Sequence, residues 1–210
     1  EIKIGDKIVR ISGIAKGSGM IAPNLATMLS FIFTDADISA AVLNKYLNKV
    51  LYSTFNAITV DSDTSTNDMV AIFSTKKIKS KKLNIVSSKE GIKFQKALQT
   101  VCLDLAKQIV VDGEGAKKFI TIKIINSDSS ERAKKIGFSI ANSPLVKTAI
   151  AGEDPNWGRI LMGVGKSSEE LDPKKIIIKL GDFIVAEKGK ISDNYNEEKL
   201  KEYMEWDSIL

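Results

Sequence analysis

Apolar residues recur at helical spacing in three stretches of the chain, and each stretch predicts an amphipathic helix. Over 38–56 the apolar positions repeat every three or four residues, and Asp37 stands where a helix N-cap is expected. The same spacing runs over 89–111, where Gly113 follows the last apolar position as a C-cap glycine would, and again over 130–141. Each predicted helix has one apolar face, so the helices are expected to cover sheets in layers.

Alternating apolar and polar residues predict strands between these helices. The predicted strands cover residues 1–14, 28–34, 68–75, 118–125, 175–180 and 182–187. Helices and strands that alternate along a chain indicate an α/β fold. No linker, internal repeat or low-complexity segment interrupts the pattern, which predicts one continuous globular unit.

Composition narrows the functions that the chain can have. The 210 residues are 43% hydrophobic, which is ample for a buried core, and the net charge of +5 comes almost entirely from lysine. Arginine, which nucleic-acid sites favour, occurs only at Arg10, Arg132 and Arg159, so no nucleic-acid partner is expected. The densest lysine run, 76–82, is interpreted as a solvated hairpin or edge-strand turn rather than a phosphate-binding patch.

The sequence gives no sign of a membrane or of an oxidising compartment. Its apolar runs are too short to span a bilayer, and no basic, apolar leader precedes the first predicted strand. A cytoplasmic protein without a membrane partner is therefore expected. The single cysteine, Cys102, lies on the apolar side of a predicted helix, which predicts a buried, inert thiol rather than a nucleophile.

Histidine is absent from the chain. This absence excludes Ser-His-Asp and Cys-His catalysis built from this chain, and zinc sites of the His and Cys type. The stretch "GVGKSS" at 163–168 ends like a phosphate loop, but Ile160 stands where that loop needs a glycine. The stretch "DSDTSTND" at 61–68 lacks the glycine and glutamate of an EF-hand, so it is interpreted as a polar loop, with a cation site as the alternative.

The stretch "EDPNWGR" at 153–159 has the residue order of a helix start. Asp154 is a candidate N-cap, and Pro155 would occupy the first helical position. Trp157 is expected to pack in the core rather than to bind a ligand.

The stretch "KGSGMIAPNLATMLSF" at 16–31 places one threonine, Thr27, after a loop that is poor in side chains. Without histidine, the threonine hydroxyl needs an amine or a carboxylate as its base. Its own α-amino group, with a pKa of about 8, would serve, but this amine exists only if the Ala26–Thr27 bond is broken. Gly17 and Gly19 would allow the strained backbone that self-cleavage needs. On these residues alone, a buried threonine that begins a strand is the alternative.

Five blocks of sequence, in order, resemble one known family. They are "KGSGMIAPNLATMLSF" (16–31), "VDSDTSTND" (60–68), "DGEGAKKF" (112–119), "IANSPLVKTAI" (140–150) and "GEDPNWGRIL" (152–161). Together they resemble the ornithine acetyltransferase family, the bifunctional glutamate N-acetyltransferases of arginine biosynthesis, which cut themselves before the threonine of an Ala-Thr-Met-Leu sequence. The resemblance implies an α/β fold built as a layered αββα-type sandwich.

The resemblance also implies roles for individual residues. Thr27 would be the nucleophile of self-cleavage at Ala26–Thr27 and of acetyl transfer, so that residues 1–26 end an α chain and residues 27–210 form most of a β chain. Thr27 would also contact the substrate, Lys16 matches a substrate-binding lysine, and Glu114 matches a glutamate that binds the amino acid or assists its proton transfers. Both roles are chemically sensible, since an ammonium can hold the carboxylate of an amino acid and a carboxylate can orient its ammonium.

The implied reaction moves an acetyl group from N-acetylornithine to glutamate through an acetyl-threonine ester. No cofactor is implied, and acetyl-CoA would be a second donor if the parent protein is bifunctional. The implied partners are these small molecules and the α and β chains of one precursor, assembled as two of each. One rival is an amidase or aminopeptidase of the same self-processing fold, and another is a non-catalytic binding domain with Thr27 buried.

The chain is expected to be part of a longer protein. Glu1 enters an alternating segment as though other strands preceded it, and "EWDSIL" ends where a new strand would start. The family's oxyanion-hole Thr-Gly pair and its C-terminal substrate-binding asparagine have no counterpart in these residues. This polypeptide alone is therefore expected to be inactive.

Overall fold

The computed structural model describes residues 1–21, 28–63, 68–206 and 208–209, the last two by their backbone only. The chain divides into two compact units, Glu1–Glu114 and Gly115–Leu210. This division falls inside 27–210, for which the sequence predicted one continuous unit. The division into units does not test the cleavage expected after residue 26, which stays a prediction. In the described part of the chain, no helix is long and apolar enough to cross a membrane.

The first unit has its helices and strands near the predicted positions, except at its start. Its elements are β1 (Ile2–Ile4), β2 (Lys7–Val9), β3 (Ile11–Lys16), β4 (Leu29–Ala36), α1 (Ala40–Leu51), β5 (Met69–Ile78) and α2 (Lys89–Val111), with short 3₁₀ helices at Phe55–Ala57 and Lys81–Asn84. The prediction of one strand over 1–14 was wrong. Gly5 has a φ of +62°, which allows a tight turn, and β1 and β2 pair antiparallel on either side of it.

A sheet with the strand order β3-β4-β5 organises the first unit. β4 runs antiparallel to β3 and parallel to β5, and its first residue, Leu29, pairs with Lys16 on one side and Met69 on the other. The core beneath this sheet includes Ile32 from β4, and Tyr46 and Phe94 from α1 and α2, whose rings lie 5.1 Å apart. The sheet therefore carries the end of β3 and the start of β4 side by side.

The second unit has its own core and shorter elements. They are β6 (Phe119–Ile120), α3 (Ser130–Ala141), α4 (Pro144–Ala151), α5 (Trp157–Gly165), β7 (Ile178–Leu180), β8 (Phe183–Glu187), β9 (Lys190–Ile191), α6 (Glu197–Met204) and β10 (Ser208–Ile209), with a 3₁₀ helix at Pro173–Lys175. β7, β8 and β9 form an antiparallel sheet, and β6 pairs in parallel with β10. The strand predicted over 118–125 shrinks to β6, because Ile122 and Ile124 pack on the core without strand pairing.

Helix limits follow the capping side chains. α2 and α3 span the predicted ranges, because Ser88 and Ser129 accept N–H groups from the first turns of these helices. α1 follows Ser39 instead of Asp37, whose N–H still bonds the carbonyl of Ile78 at the end of β5. Asp154 was also wrong as a cap, since α5 begins after Asn156, which accepts the N–H of Arg159.

Three interpretations of single features are confirmed. Cys102 is fully buried, and burial raises the pKa of its thiol to about 12, so the thiol is inert at neutral pH. The lysine run 76–82 leaves the edge strand β5 and enters a 3₁₀ helix, with its lysines exposed. Trp157 packs against the core of the second unit.

Candidate active site

The glycine-rich segment after β3 makes a close turn over the start of β4. Gly17 has a φ of +146°, and a Cβ at this position would stand 3.2 Å from the Cα of Met28. A side chain there would therefore be strained and crowded, which confirms the expected use of glycine at this position. Gly19 is not left-handed, whereas Met20, with a φ of +53°, takes up that conformation.

The end of α2 approaches the same turn. A Cβ on Gly113 would stand 3.0 Å from Cγ1 of Val60, so glycine allows the helix end to lie against the loop that contains Asp61. Asp112, rather than a left-handed glycine, caps the helix. The N–H of Glu114 then donates to the carbonyl of Ser18 at 3.1 Å. This hydrogen bond fixes Glu114 beside the segment that begins at Lys16.

Lys16 and Glu114, two of the three substrate-binding residues that the resemblance implied, line one cavity of about 480 Å³. The lining residues are Ala15, Lys16, Gly17, Ser18, Gly19, Met20, Asp61, Asp112 and Glu114. The cavity lies wholly within the first unit and brings one ammonium group together with three carboxylates. This volume and mixed charge suit a small zwitterionic ligand such as an amino acid. Ala26 and Thr27 lie outside the described residues.

Asp61 holds the main chain at one side of the cavity. Its Oδ2 accepts the N–H of Met20 at 2.6 Å, and its Oδ1 accepts the N–H of Ile21 at 3.1 Å. The carbonyl of Ile21 in turn accepts from the Val60 N–H at 2.8 Å and the Thr59 hydroxyl at 3.1 Å. Bonds to an ionised acceptor are stronger than neutral ones, so they offset the cost of the left-handed Met20.

Asp68 holds the chain where β4 begins. Its Oδ1 accepts the N–H of Met28, while its Oδ2 is buried without a hydrogen-bond partner among the described residues. Burial raises the pKa of the Asp68 carboxyl, although the Met28 N–H and the nearby charge of Lys16 act in the opposite direction.

Sequence reasoning missed what these two carboxylates do. It treated Asp61 and Asp68 as parts of a polar loop or as cation ligands, whereas both bind backbone N–H groups distant in sequence. The described residues contain no cluster of three or more His, Cys, Asp or Glu that could hold a metal ion. The sequence does show an aspartate at each end of the stretch 61–68. It does not show which backbone N–H groups these aspartates bind.

The blocks of the second unit build local structure. Asn156 caps α5, and its amide donates to Asp154 at 3.0 Å. Glu153 pairs with the ammonium of Lys118 at 2.8 Å, and this ammonium also donates to the carbonyls of Met204 and Trp206 at 2.7 and 3.2 Å. In the described part of this unit, these blocks therefore supply the N-cap of α5 and the carboxylate partner of the nearly buried Lys118.

Comparisons with known proteins agree on one family. The model of the ArgJ family matches residues 1–210. The arginine biosynthesis bifunctional protein ArgJ of Ruegeria pomeroyi is 49% identical over 209 residues, which are 100% of this chain and 50% of that protein. The ArgJ of Bacillus thuringiensis is 48% identical over 210 residues, 100% of this chain and 51% of that protein. The chain thus spans about half the length of the curated relatives it matches.

The fold comparison points the same way. The crystal structure of the arginine biosynthesis bifunctional protein ArgJ from Bacillus halodurans matches with a TM-score of 0.80 at 38% identity, over 87% of this chain and 85% of that one. This match confirms the α/β sandwich expected from the sequence blocks. The resemblance read from those blocks is also confirmed, and the chain belongs to the ArgJ family.

Proposed function

We propose that the full-length protein is a self-processing acetyltransferase of arginine biosynthesis that moves an acetyl group from N-acetylornithine to glutamate. The observation that carries this proposal is the joint position of Lys16 and Glu114. They come from the end of β3 and from just beyond α2, and they line one cavity. The same segment that begins at Lys16 continues through Ala26 and Thr27 to Met28. The names of the relatives, bifunctional proteins of arginine biosynthesis, support the pathway.

Self-cleavage precedes transfer in this proposal. The Thr27 hydroxyl oxygen attacks the Ala26 carbonyl carbon, the bond from that carbon to the Thr27 nitrogen breaks, and the hydroxyl proton ends on this nitrogen as it becomes an amine. Water then hydrolyses the ester between Ala26 and Thr27, which leaves a carboxylate on Ala26 and restores the hydroxyl. The new α-amine can then act as the base for the Thr27 hydroxyl in a chain that has no histidine.

Acetyl transfer repeats this ester chemistry. The Thr27 hydroxyl takes the acetyl group from N-acetylornithine, ornithine leaves with the proton on its nitrogen, and the amine of glutamate then attacks the ester. Lys16 binds the carboxylate of the amino acid, and Glu114 orients its amine or assists its proton transfers. No cofactor is needed for the exchange. Acetyl-CoA is a second donor if the word "bifunctional" in the relatives' names applies to this protein as well.

The assembly is part of the same proposal. Residues 1–26 end an α chain and residues 27–210 form most of a β chain, with two of each chain in the cytoplasmic enzyme. The donors that stabilise the oxyanion lie in the part of the parent beyond this sequence, as the resemblance implies. Losing one such donor typically costs roughly 3 kcal/mol of transition-state stabilisation, so the 210-residue chain alone should be inactive.

Mass spectrometry of the full-length protein tests this function. We expect two chains that meet at Ala26–Thr27, and one acetyl group on Thr27 after incubation with N-acetylornithine in the absence of glutamate. Thr27→Ala should leave the chain uncut and unacetylated because it removes the attacking oxygen, whereas Thr27→Ser should restore both reactions in part.

Two results would contradict the proposal. Cleavage at the same junction in Thr27→Ala would show that another group attacks Ala26. Hydrolysis of N-acetylornithine at an equal rate with and without glutamate would support the amidase alternative, because water rather than glutamate would then be the acceptor.

A further inference from the structure

Two aspartates bind the two ends of the segment that contains Ala26 and Thr27. At the first end, Asp61 accepts the N–H groups of Met20 and Ile21. At the second end, Asp68 accepts the N–H of Met28. Residues 22–27, between these two attachment points, lie outside the described part of the chain. The described flanks are therefore fixed by two carboxylates of the stretch 61–68.

Met28 is fixed by several contacts besides its hydrogen bond to Asp68. Its side chain is fully buried, and its carbonyl accepts the N–H of Met69 at 3.0 Å. The Cα of Met28 also lies so close to Gly17 that any side chain at position 17 would crowd it. With the N–H bound by Asp68 as well, each polar group of the Met28 backbone has a partner. This residue directly follows Thr27 in the sequence, so its position limits where Thr27 can be.

We propose that Asp68 is a positioning residue for Thr27, which it orients through the N–H of Met28, and that Asp61 anchors the opposite end of the segment. This inference rests on the proposed function, in which Thr27 attacks the preceding carbonyl. Asp68 does not itself take the proton of Thr27: its contribution is the placement of one acceptor oxygen.

The physical reason is that attack within a chain depends on orientation. The hydroxyl of Thr27 must approach the carbonyl of the residue before it, and a flexible segment would spend little time in that geometry. Fixing both flanks removes much of this freedom before the reaction starts, and a displacement of about 1 Å can cost on the order of a hundredfold in rate. The two-point attachment is therefore expected to act on the rate of self-cleavage.

Two substitutions at Asp68 separate position from charge. Asp68→Asn keeps an acceptor oxygen at nearly the same place but removes the charge. Asp68→Glu keeps the charge but moves the acceptor by one methylene group. If Asp68 acts by position, Asp68→Asn should cut within about threefold of the wild-type rate, and Asp68→Glu should be slower by roughly ten- to hundredfold. A base or a charge effect would give the opposite order.

The measurement is a time course of cleavage in the freshly purified full-length protein, followed by intact mass. Asp63→Asn and Asp63→Glu are matched controls, because Asp63 is an exposed aspartate of the same loop whose N–H, not its side chain, contacts Asp61. Both controls should cut at the wild-type rate. Thermal unfolding of each variant separates slow cleavage from loss of fold.

The outcomes separate this inference from the proposed function. If Thr27→Ala is uncut while Asp68→Asn is as slow as Asp68→Glu, or while both cut normally, Thr27 is the nucleophile and the positioning role of Asp68 is overturned. If Thr27→Ala is still cut at the same junction, the proposed function is overturned, and the positioning of Thr27 with it. The order Asn faster than Glu, with an uncut Thr27→Ala, supports both.

Discussion

Two lysines show how differently the two units use the same side chain. Lys16 in the first unit is exposed at the cavity, and its ammonium group makes no hydrogen bond or ion pair among the described residues. Lys118 in the second unit is nearly buried, with 10% of its side chain exposed, and donates to Glu153, Met204 and Trp206. An ammonium whose donors are left open can bind a ligand, whereas one whose donors are all occupied can only hold the fold together.

The same difference runs through the family blocks, and the block 112–119 contains both kinds of residue, Glu114 and Lys118. The blocks at 16–31 and 112–119 bring Lys16 and Glu114 to the cavity, while the block at 152–161 builds the start of α5. Both kinds of block lie within the residues that the family model matches. Resemblance alone therefore does not tell a binding residue from a structural one, and the hydrogen-bond partners decide between them.

Replacing the exposed Lys16 is the strongest test of the contrast between a ligand-binding and a structural lysine. In the full-length enzyme, Lys16→Ala should raise KM for N-acetylornithine by roughly ten- to hundredfold, because the substrate carboxylate loses a charged partner. The midpoint of thermal unfolding should stay within error of the wild type, since the side chain is exposed. Lys77→Ala, an exposed lysine of β5 away from the cavity, is the control. A change in unfolding without a change in KM would place Lys16 with the structural lysines.

The buried lysine should behave in the opposite way. Lys118→Ala leaves the carbonyls of Met204 and Trp206 without this donor, and the free energy of unfolding should fall by about 2 kcal/mol. Denaturant unfolding measures this loss, and KM of the protein that remains folded should be unchanged. Lys117→Ala is the matched control, because Lys117 is the exposed neighbour in sequence. Equal stability of the two variants would contradict a structural role for Lys118.

The smallest effect is expected at a local cap of the second unit. Asn156→Ala removes the acceptor for the Arg159 N–H at the start of α5 and should cost about 1 kcal/mol of unfolding free energy. Asn194→Ala, at an exposed asparagine outside the helices, should cost less than half of that. If Asn156→Ala instead reduced acetyl transfer without loss of stability, its block would belong with the functional ones.

Local signals explain what could be predicted from the sequence. The limits of α2 and α3 follow from apolar spacing and from a serine before the first turn, which are both properties of neighbouring residues. The strand predicted over 118–125 failed because alternation reports one apolar face and does not report a pairing partner. At 1–14, the left-handed Gly5 turned one predicted strand into separate short ones.

The site needed the tertiary structure. Lys16 and Glu114 were identified by resemblance, but their meeting depends on Gly113 packing against Val60 and on the hydrogen bond from Glu114 to Ser18. Asp61 and Asp68 were visible as polar loop residues, and their partners at Met20 and Met28 lie far away in sequence. Contacts of this kind carry no local pattern, so periodicity and capping rules do not reveal them.

If the chain is cut as proposed, the pairing of β3 with β4 becomes a contact between two polypeptides. β3 would then belong to one polypeptide and β4 to the other, so their antiparallel ladder would become an intersubunit sheet. Ile4, Val9 and Ile21 of the α chain would remain inside a core shared with α1 and α2 of the β chain. An interface of this kind resembles a domain core cut in two, as the interfaces of obligate complexes do. The two products would consequently be assembled before they are separate molecules, and exchange of subunits between enzymes would require unfolding.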